Sequence, residues 1–370
     1  MTIAEYTDRY INNYKNYKDY WNYEDGCILT GCIKLFEATK NRKYCDFVLN
    51  YLSSVLSEDG IILNYDHRKH STDSFNSGRS LLFAWHMTGF NKYRNAIMFL
   101  LDKIKEYPRT CDGSFIHKSI YPGQVWLDGL YMLQPFYASC IKEFGDGNFD
   151  DIAKQFRNVR KTMYSAAKKL YCHGYDSDRI QPWADSESGC SEGFWLRAIG
   201  WYLMALVDTA DAIGDTGNDC YRLLTELFCE AASGITGYSD SHSGLFYQVV
   251  DHPEDSRNYT ETSGSLMISY ALMKSVHLGF PVDSAYKDIS RNIFSSVLKE
   301  KLIDGRSGLT LTDICCSAGL GPGIQRNGSP EYYFSELVVS DDPKGVGAFM
   351  MAHAEILNDD RINGGNTYET

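Results

Sequence analysis

One pattern constrains this chain more than any other. A tight turn followed by an aromatic residue and an amphipathic helical stretch occurs five times, as ATKNRKYCDFVLNYL, TGFNKYRNAIMFLL, FGDGNFDDIAKQF, IGDTGNDCYRLLTELF and LGFPVDSAYKDISRNIF. The aromatics are Tyr44, Tyr93, Phe149, Tyr221 and Tyr286, roughly 50 to 70 residues apart, a spacing typical of helical-hairpin arrays or somewhat longer. After each turn, apolar residues recur at intervals of three and four. That places them on one helix face, which needs a neighbour to cover it.

Before each turn comes a second, more apolar helical segment, over 26–38, 78–88, 129–143, 195–212, 263–277 and 345–357. Each follows a loop dense in glycine, aromatic and polar residues: WNYEDG, STDSFNSG, YPGQVWLDG, SEGFW, NYTETSG and SDDPKG. With residues 2–19 as a further outer helix, the pattern predicts an all-α chain, an (α/α)6 barrel of six helical hairpins with the apolar helices inside. We expect a single catalytic domain over residues 1–358 and a polar tail over 359–370. Strand-like alternation is confined to pieces such as GIILNYD and GLFYQVVD, expected as small hairpins on the rim. In such a barrel the loops before the inner helices all open onto one mouth. The helix N-termini there carry free N–H groups and a partial positive charge, which suit an anion.

That local preference matters because the whole chain is acidic, with a formal net charge of −12. Binding nucleic acid through phosphate neutralisation is therefore not expected, whereas a small anion in the mouth is. Hydrophobic residues at 44% and charged residues at 23% are an ordinary globular balance. Eleven cysteines show no paired metal-ligand spacing; Cys27 and Cys32 are five apart and Cys315 and Cys316 adjacent. The polar start MTIAEYTDRYINNY does not read as a signal peptide, and no apolar run is long enough for a membrane span. A cytoplasmic protein with reduced thiols is expected, and no oligomeric state is implied.

There is no Walker loop, no HExxH and no dinucleotide fingerprint after a strand, and AGLGPG reads as a turn, so neither metal nor cofactor is expected. Chemistry then falls to side chains in the mouth loops. Asp128 in VWLDG and Asp73 in STDSFNSGRS are the foremost acids. An aspartate before a helix ordinarily caps it. Two sharing a confined site would instead raise one pKa and supply a general acid near neutral pH. Arg197, between Trp195 and Trp201, is either a structural ion-pair partner or a fork for a substrate carboxylate. His117 and His173 are either satisfied polar residues or part of the pocket. Trp126, Trp195 and Trp201 suit either a core or the face of a sugar ring.

In these same residues the chain resembles the unsaturated rhamnogalacturonyl hydrolases of glycoside hydrolase family 105, and their kin, the unsaturated glucuronyl hydrolases of family 88. The resemblance runs in order through DSFNSGR, GSFIHKSIYPGQVWLDGLYMLQPF, CHGYD, SEGFWLRAIGWYLMALVD, YQVVD, NYTETSGSLMISYAL and EYYFSELVVSDDPKGVGAF. It implies an (α/α)6 barrel, metal-free and cytoplasmic, acting on short anionic oligosaccharides that begin with a Δ4,5-unsaturated uronic acid. It also implies that Asp128 is the general acid and base, that Asp73 is its partner, and that Tyr23, His117, Trp126, His173, Trp195, Arg197 and Trp201 line the pocket. The implied reaction is hydration of a vinyl ether, with a proton to C4, water to C5 and a hemiketal that opens to release the next sugar. Ala198, Ile199 and Leu337, together with CCSAGLG, depart from the rhamnogalacturonan-type pattern and leave the departing sugar open. Unsaturated galacturonyl-rhamnose is the expected substrate. The alternatives are a glucuronyl hydrolase on glycosaminoglycan-type disaccharides, an inverting glycosidase using Glu192 or Glu261, and a non-catalytic sugar-binding barrel.

Overall fold

The inner helices end where a left-handed residue reverses the chain. Gly89, Gly145, Gly214 and Gly279 have φ of 71°, 64°, 66° and 69°, and Lys40 adopts the same conformation at 58°. At Gly89, Gly145 and Gly279 a Cβ would meet open space, so glycine is there for the backbone angle and not for packing. These are the glycines of the repeated turns, and each reversal sends an outer helix back along the one before it.

The computed structural model describes residues 2–362 apart from 146, 215, 307 and 322. Along the chain, outer helix α1 (Ile3–Asn13) precedes the hairpin of α2 (Tyr23–Thr39) and α3 (Arg42–Val55). A short α4 (Asp73–Asn76) leads into α5 (Gly78–Thr88) and α6 (Asn91–Lys105), followed by α7 (Leu127–Phe144) with α8 (Asp150–Met163). Next come α9 (Leu196–Ile213) with α10 (Asp219–Thr236), and α11 (Thr262–His277) with α12 (Tyr286–Glu300). A short α13 (Pro330–Phe334) then precedes the last inner helix, α14 (Pro343–Ile362). Helices α2, α5, α7, α9, α11 and α14 touch in that order, and α14 returns to α2, which closes the ring. This is the (α/α)6 barrel that the repeat predicts.

Glycines set how tightly the ring closes. A Cβ on Gly347 of α14 would stand 2.6 Å from the carbonyl oxygen of Cys27 on α2, and one on Gly31 would stand 2.8 Å from Met350. The outer helix α1 completes the last pair: Tyr6 meets Phe349 edge-on at 5.7 Å and its hydroxyl donates to Asp341 at 2.6 Å. One continuous apolar core runs from Tyr6 to Ile356. A satellite cluster of Trp126, Trp183 and Leu320 lies apart from it.

Strands are short and decorate the loops. β1 (Gln124–Trp126) pairs antiparallel with a later strand, β2 (Tyr164–Ser165) pairs with β3 (Leu170–Tyr171), and β4 (Gly174–Asp176) is the partner of β1. β5 (Leu302–Gly305) pairs with β6 (Gly308–Leu311), and β7 (Ile314–Cys315) with β8 (Val338–Val339). The expected rim hairpins are reduced to single bridges, Leu56 with Ile62, and Trp195 with Val249 and Tyr247 with Thr260. Helix α1 stops at Asn13, short of the expected 19. At the other end α14 continues past the boundary at 358, because Asp359 is buried and ion-paired to Lys287 and Arg291. The rest of the expected tail, 363–370, lies outside the described residues.

Candidate active site at the barrel mouth

Asp128 is the second residue of α7, directly after β1. The cap position is Trp126, with no side-chain cap, so Asp128 is not held there as an ordinary N-cap. In the register of β1 and β4, Trp126 faces Gly174, and the Leu127 N–H donates to the carbonyl of His173 at 3.1 Å. The pairing delivers the imidazole to the carboxylate, with His173 Nε2 3.3 Å from Asp128 Oδ2. That approach lacks the alignment of a hydrogen bond, and both atoms are buried without a partner. On its other side, His173 Nδ1 stands 2.8 Å from the Tyr333 hydroxyl.

Asp73 opens α4 and is brought in by a different bridge, Ser71 with Lys118. It pairs with Lys118 at 2.7 Å and lies 3.9 Å from His117 Nε2. The far nitrogen of His117 is 3.0 Å from the Thr72 hydroxyl. Asp73, Tyr23 and Lys118 also line a cleft of about 570 Å3 with Lys18, Tyr65 and Ile120.

The electrostatics differ from the expected carboxylate pair. Burial pushes the Asp128 carboxyl up, but His173 and then His117 outweigh it and hold the group below its ordinary value. Burial likewise raises Asp73, and Lys118 followed by His117 bring it lower still than an exposed aspartate. Among the described residues, neither acid is held neutral by a like-charged neighbour. Both carboxyls are ionised, because each faces a base or a cation instead of the other. Burial also pushes His117 down to about 4, which keeps its imidazole neutral.

Aromatic rings fix these groups. Trp126 is sandwiched between His117, at 4.2 Å and 18°, and Tyr121, at 5.2 Å and 19°. Trp195 lies parallel to Tyr333 at 6.0 Å and has its indole nitrogen buried with no partner. Arg197 stands with its guanidinium 4.8 Å from that indole. Its two terminal nitrogens are engaged by the carbonyls of Cys315 and Cys316 and by the Ser263 hydroxyl, which leaves Nε unpartnered. The fork expected to grip a carboxylate is thus largely tied to the 315–316 backbone. Trp201 sits in the core beneath the site, stacked on Tyr131 at 4.8 Å.

The structure therefore brings together Asp128, His173, Trp126, His117 and Asp73, with Trp195, Arg197 and Tyr23 alongside, and sets Trp201 one layer below. Sequence reasoning missed Lys118, Thr72 and Tyr333. Lys118 was legible as the neighbour of His117, but Tyr333 carried no signal beyond its place in EYYFSE. Glu261, considered as a second base, caps α11 and accepts from Ser263, Gly264 and Cys315, so no oxygen is left for a water. Glu192 is exposed. Among the described residues, no group of three His, Cys, Asp or Glu side chains is placed to hold a metal ion, and no helix is long and apolar enough to cross a membrane.

Comparison with known proteins gives the family and the fold. The profile described as Glycosyl Hydrolase Family 88 matches residues 2–359. A solved glycoside hydrolase from family 105 of C. acetobutylicum ATCC 824 is 38% identical, with a TM-score of 0.91 over 96% of this chain and 99% of that one. The 24.9 kDa protein in picA locus of Rhizobium radiobacter is 39% identical over 214 residues, 56% of this chain and 90% of that protein. The unsaturated rhamnogalacturonyl hydrolase YesR of Bacillus subtilis (strain 168) is 25% identical over 263 residues, 69% of this chain and 71% of that protein.

Proposed function

Because the chain belongs to glycosyl hydrolase family 88 and matches a family 105 enzyme over nearly its whole length, we propose that it removes a Δ4,5-unsaturated galacturonyl residue from the non-reducing end of lyase-generated oligosaccharides such as unsaturated galacturonyl-rhamnose. The observation that carries this reading is the gathering of buried polar groups at one mouth: Asp128 Oδ2 faces His173 Nε2 out of hydrogen-bond alignment, and Trp195 Nε1 and Arg197 Nε lack a hydrogen-bond partner. Buried polar groups are rarely left unsatisfied, and a cluster of them calls for a polar ligand.

The uronate's own charge resolves how an ionised Asp128 becomes an acid. Docking a carboxylate beside it and expelling water both disfavour the charged form, so Asp128 takes up a proton as substrate binds. It gives that proton to C4 of the double bond, and positive charge spreads over C5 and the ring oxygen. The regenerated carboxylate then draws a proton from the water that attacks C5. The hemiketal opens, breaks the bond to the next sugar and leaves the uronic acid in its keto form. One group serves both transfers, so the separation rule for paired glycosidase carboxylates does not apply. Asp73, locked to Lys118, orients the sugar or the acid. Rhamnose as the departing sugar is supported by the likeness to YesR. We place the protein in the cytoplasm, in keeping with its eleven free thiols.

The test follows the ultraviolet absorbance of the conjugated double bond, which hydration abolishes. Loss of that signal with unsaturated galacturonyl-rhamnose is the expected result. Turnover of unsaturated glucuronyl disaccharides alone would move the proposal to the glucuronyl alternative, and cleavage of saturated glycosides alone would end it.

A further inference from the structure

His173 is clamped on three sides. Trp126 meets its ring edge-on at 5.3 Å, Trp195 leans on it at 4.8 Å, and the Tyr333 hydroxyl stands on Nδ1 at 2.8 Å. The ring is wholly buried, so its orientation is fixed and only the position of its proton is free.

Tyr333 is itself built in with care. It lies on α13, whose Ser329 caps the helix, and its carbonyl accepts from the Gln248 side chain at 2.6 Å. Its ring packs so close to Gly193 that a Cβ there would come within 2.6 Å. This accounts for the glycine between Glu192 and Phe194 in SEGFW. The hydroxyl is buried, and His173 Nδ1 is its one hydrogen-bond partner among the described residues. Burial, with Tyr332 and Asp128 nearby, keeps the phenol protonated at any working pH. A buried O–H that meets a single acceptor donates to it.

The consequence is a directed chain of donors. Tyr333 O–H gives to His173 Nδ1, so a singly protonated imidazole carries its hydrogen on Nε2, and Nε2 faces Asp128 Oδ2. We propose that Tyr333 is a positioning residue that fixes the tautomer of His173, and through it keeps the Nε2–H on the side of Asp128 Oδ2. This rests on the assignment of the proton transfers to Asp128. The other titratable or charged groups facing the pair are His117 with Asp73 and Lys118 beyond it, and Cys172 beside Tyr333. None of them touches Nδ1, so none can replace the phenol. Held this way, Asp128 is an ionised base at rest. Once Asp128 has taken up a proton on substrate binding and given it to C4, the Nε2–H on the other side of the pair stabilises the carboxylate so regenerated.

The test reads the imidazole directly. Histidine 15N resonances separate the two tautomers, and His173→Gln identifies the His173 signal by its loss. In its singly protonated form the ring should show a protonated Nε2 and a bare Nδ1. Tyr333→Phe keeps the ring against Trp195 and Gly193 but removes the O–H, and should populate the Nδ1–H form. In the same variant kcat should fall about tenfold, a fraction of what a whole proton-transfer group supplies, with KM changed less than about twofold. The alkaline limb of the pH–rate profile should shift upward as Asp128 loses its donor. A proton on Nδ1 of the singly protonated ring in the native protein overturns the proposal, and that spectrum decides even if the variant does not fold. An unchanged tautomer in folded Tyr333→Phe overturns it as well. If the tautomers behave as stated but no unsaturated uronide is hydrated, the positioning of His173 stands and the assigned reaction falls.

Discussion

Two carboxylates on neighbouring inner helices, Asp208 wholly buried and Asp128 partly so, are treated in opposite ways. Asp208 of α9 receives Arg79 at 2.7 Å, Lys274 at 2.7 Å and the Tyr270 hydroxyl at 2.6 Å. Lys274 reaches on to Asp211 at 2.8 Å, and Arg79 bonds the Tyr131 hydroxyl at 2.9 Å. Both of its oxygens are occupied, and its neighbouring cations, Lys274 foremost, hold it far below the ordinary value despite burial. Asp128 of α7 is half-buried, and its Oδ2 meets only the His173 imidazole, 3.3 Å away and out of hydrogen-bond alignment. The first arrangement is complete without any visitor. The second is completed only by something that enters. Charge alone would not have told the two apart; the count of satisfied lone pairs does.

That contrast can be broken by experiment. Asp128→Asn should cost about three orders of magnitude in kcat, within the range of a lost proton-transfer group, while the urea midpoint of unfolding stays close to that of the native protein. Asp208→Asn should do the reverse. Stranding Lys274 and Arg79 costs about 3–5 kcal/mol in urea unfolding, with kcat of the folded fraction preserved. If both variants lose stability alike, the distinction fails. Trp195→Phe keeps a flat ring but deletes the waiting N–H; we expect KM to rise about tenfold, since one hydrogen bond to a charged ligand is worth about 1.5–3 kcal/mol less the lost solvation.

The smallest effect concerns pH. Burial holds His117 down to about 4, against 6.5 when exposed, so the unfolded chain binds more protons between those values. Its contribution to stability is complete above pH 6.5 and is lost as pH falls towards 4. His353, likewise pushed down to about 4 by burial, adds to the same slope. His117→Asn should flatten the curve of unfolding free energy against pH in that window, and an unaltered slope would remove His117 from the account.

The barrel was legible because helical period and glycine turns are local properties, written in every repeat. Asp128 and Asp73 were legible for a related reason, since each sits in a loop just before an inner helix. What escaped was the outcome of long-range pairing. The β1–β4 register, which joins residues 124–126 to 174–176, sets His173 beside Asp128 and so reverses the expected direction of its pKa. In the sequence Arg197 is equally a structural ion-pair partner or a substrate fork, because nothing local announces the carbonyls of Cys315 and Cys316. Trp201 looked like a partner of Trp195, but six residues along a helix carry it into the layer of Tyr131.

The glycine seam between α2 and α14 has one more consequence. The first and last inner staves of the ring meet backbone to backbone, at Gly31 and Gly347, across almost the full length of the chain. Hairpins such as α2–α3 can form from local contacts, but the apolar inner face of α2 has its closing neighbour only when α14 packs on it. The barrel is therefore closed by some of the longest-range contacts in the fold, between α2 and α14, and these are the slowest kind to form.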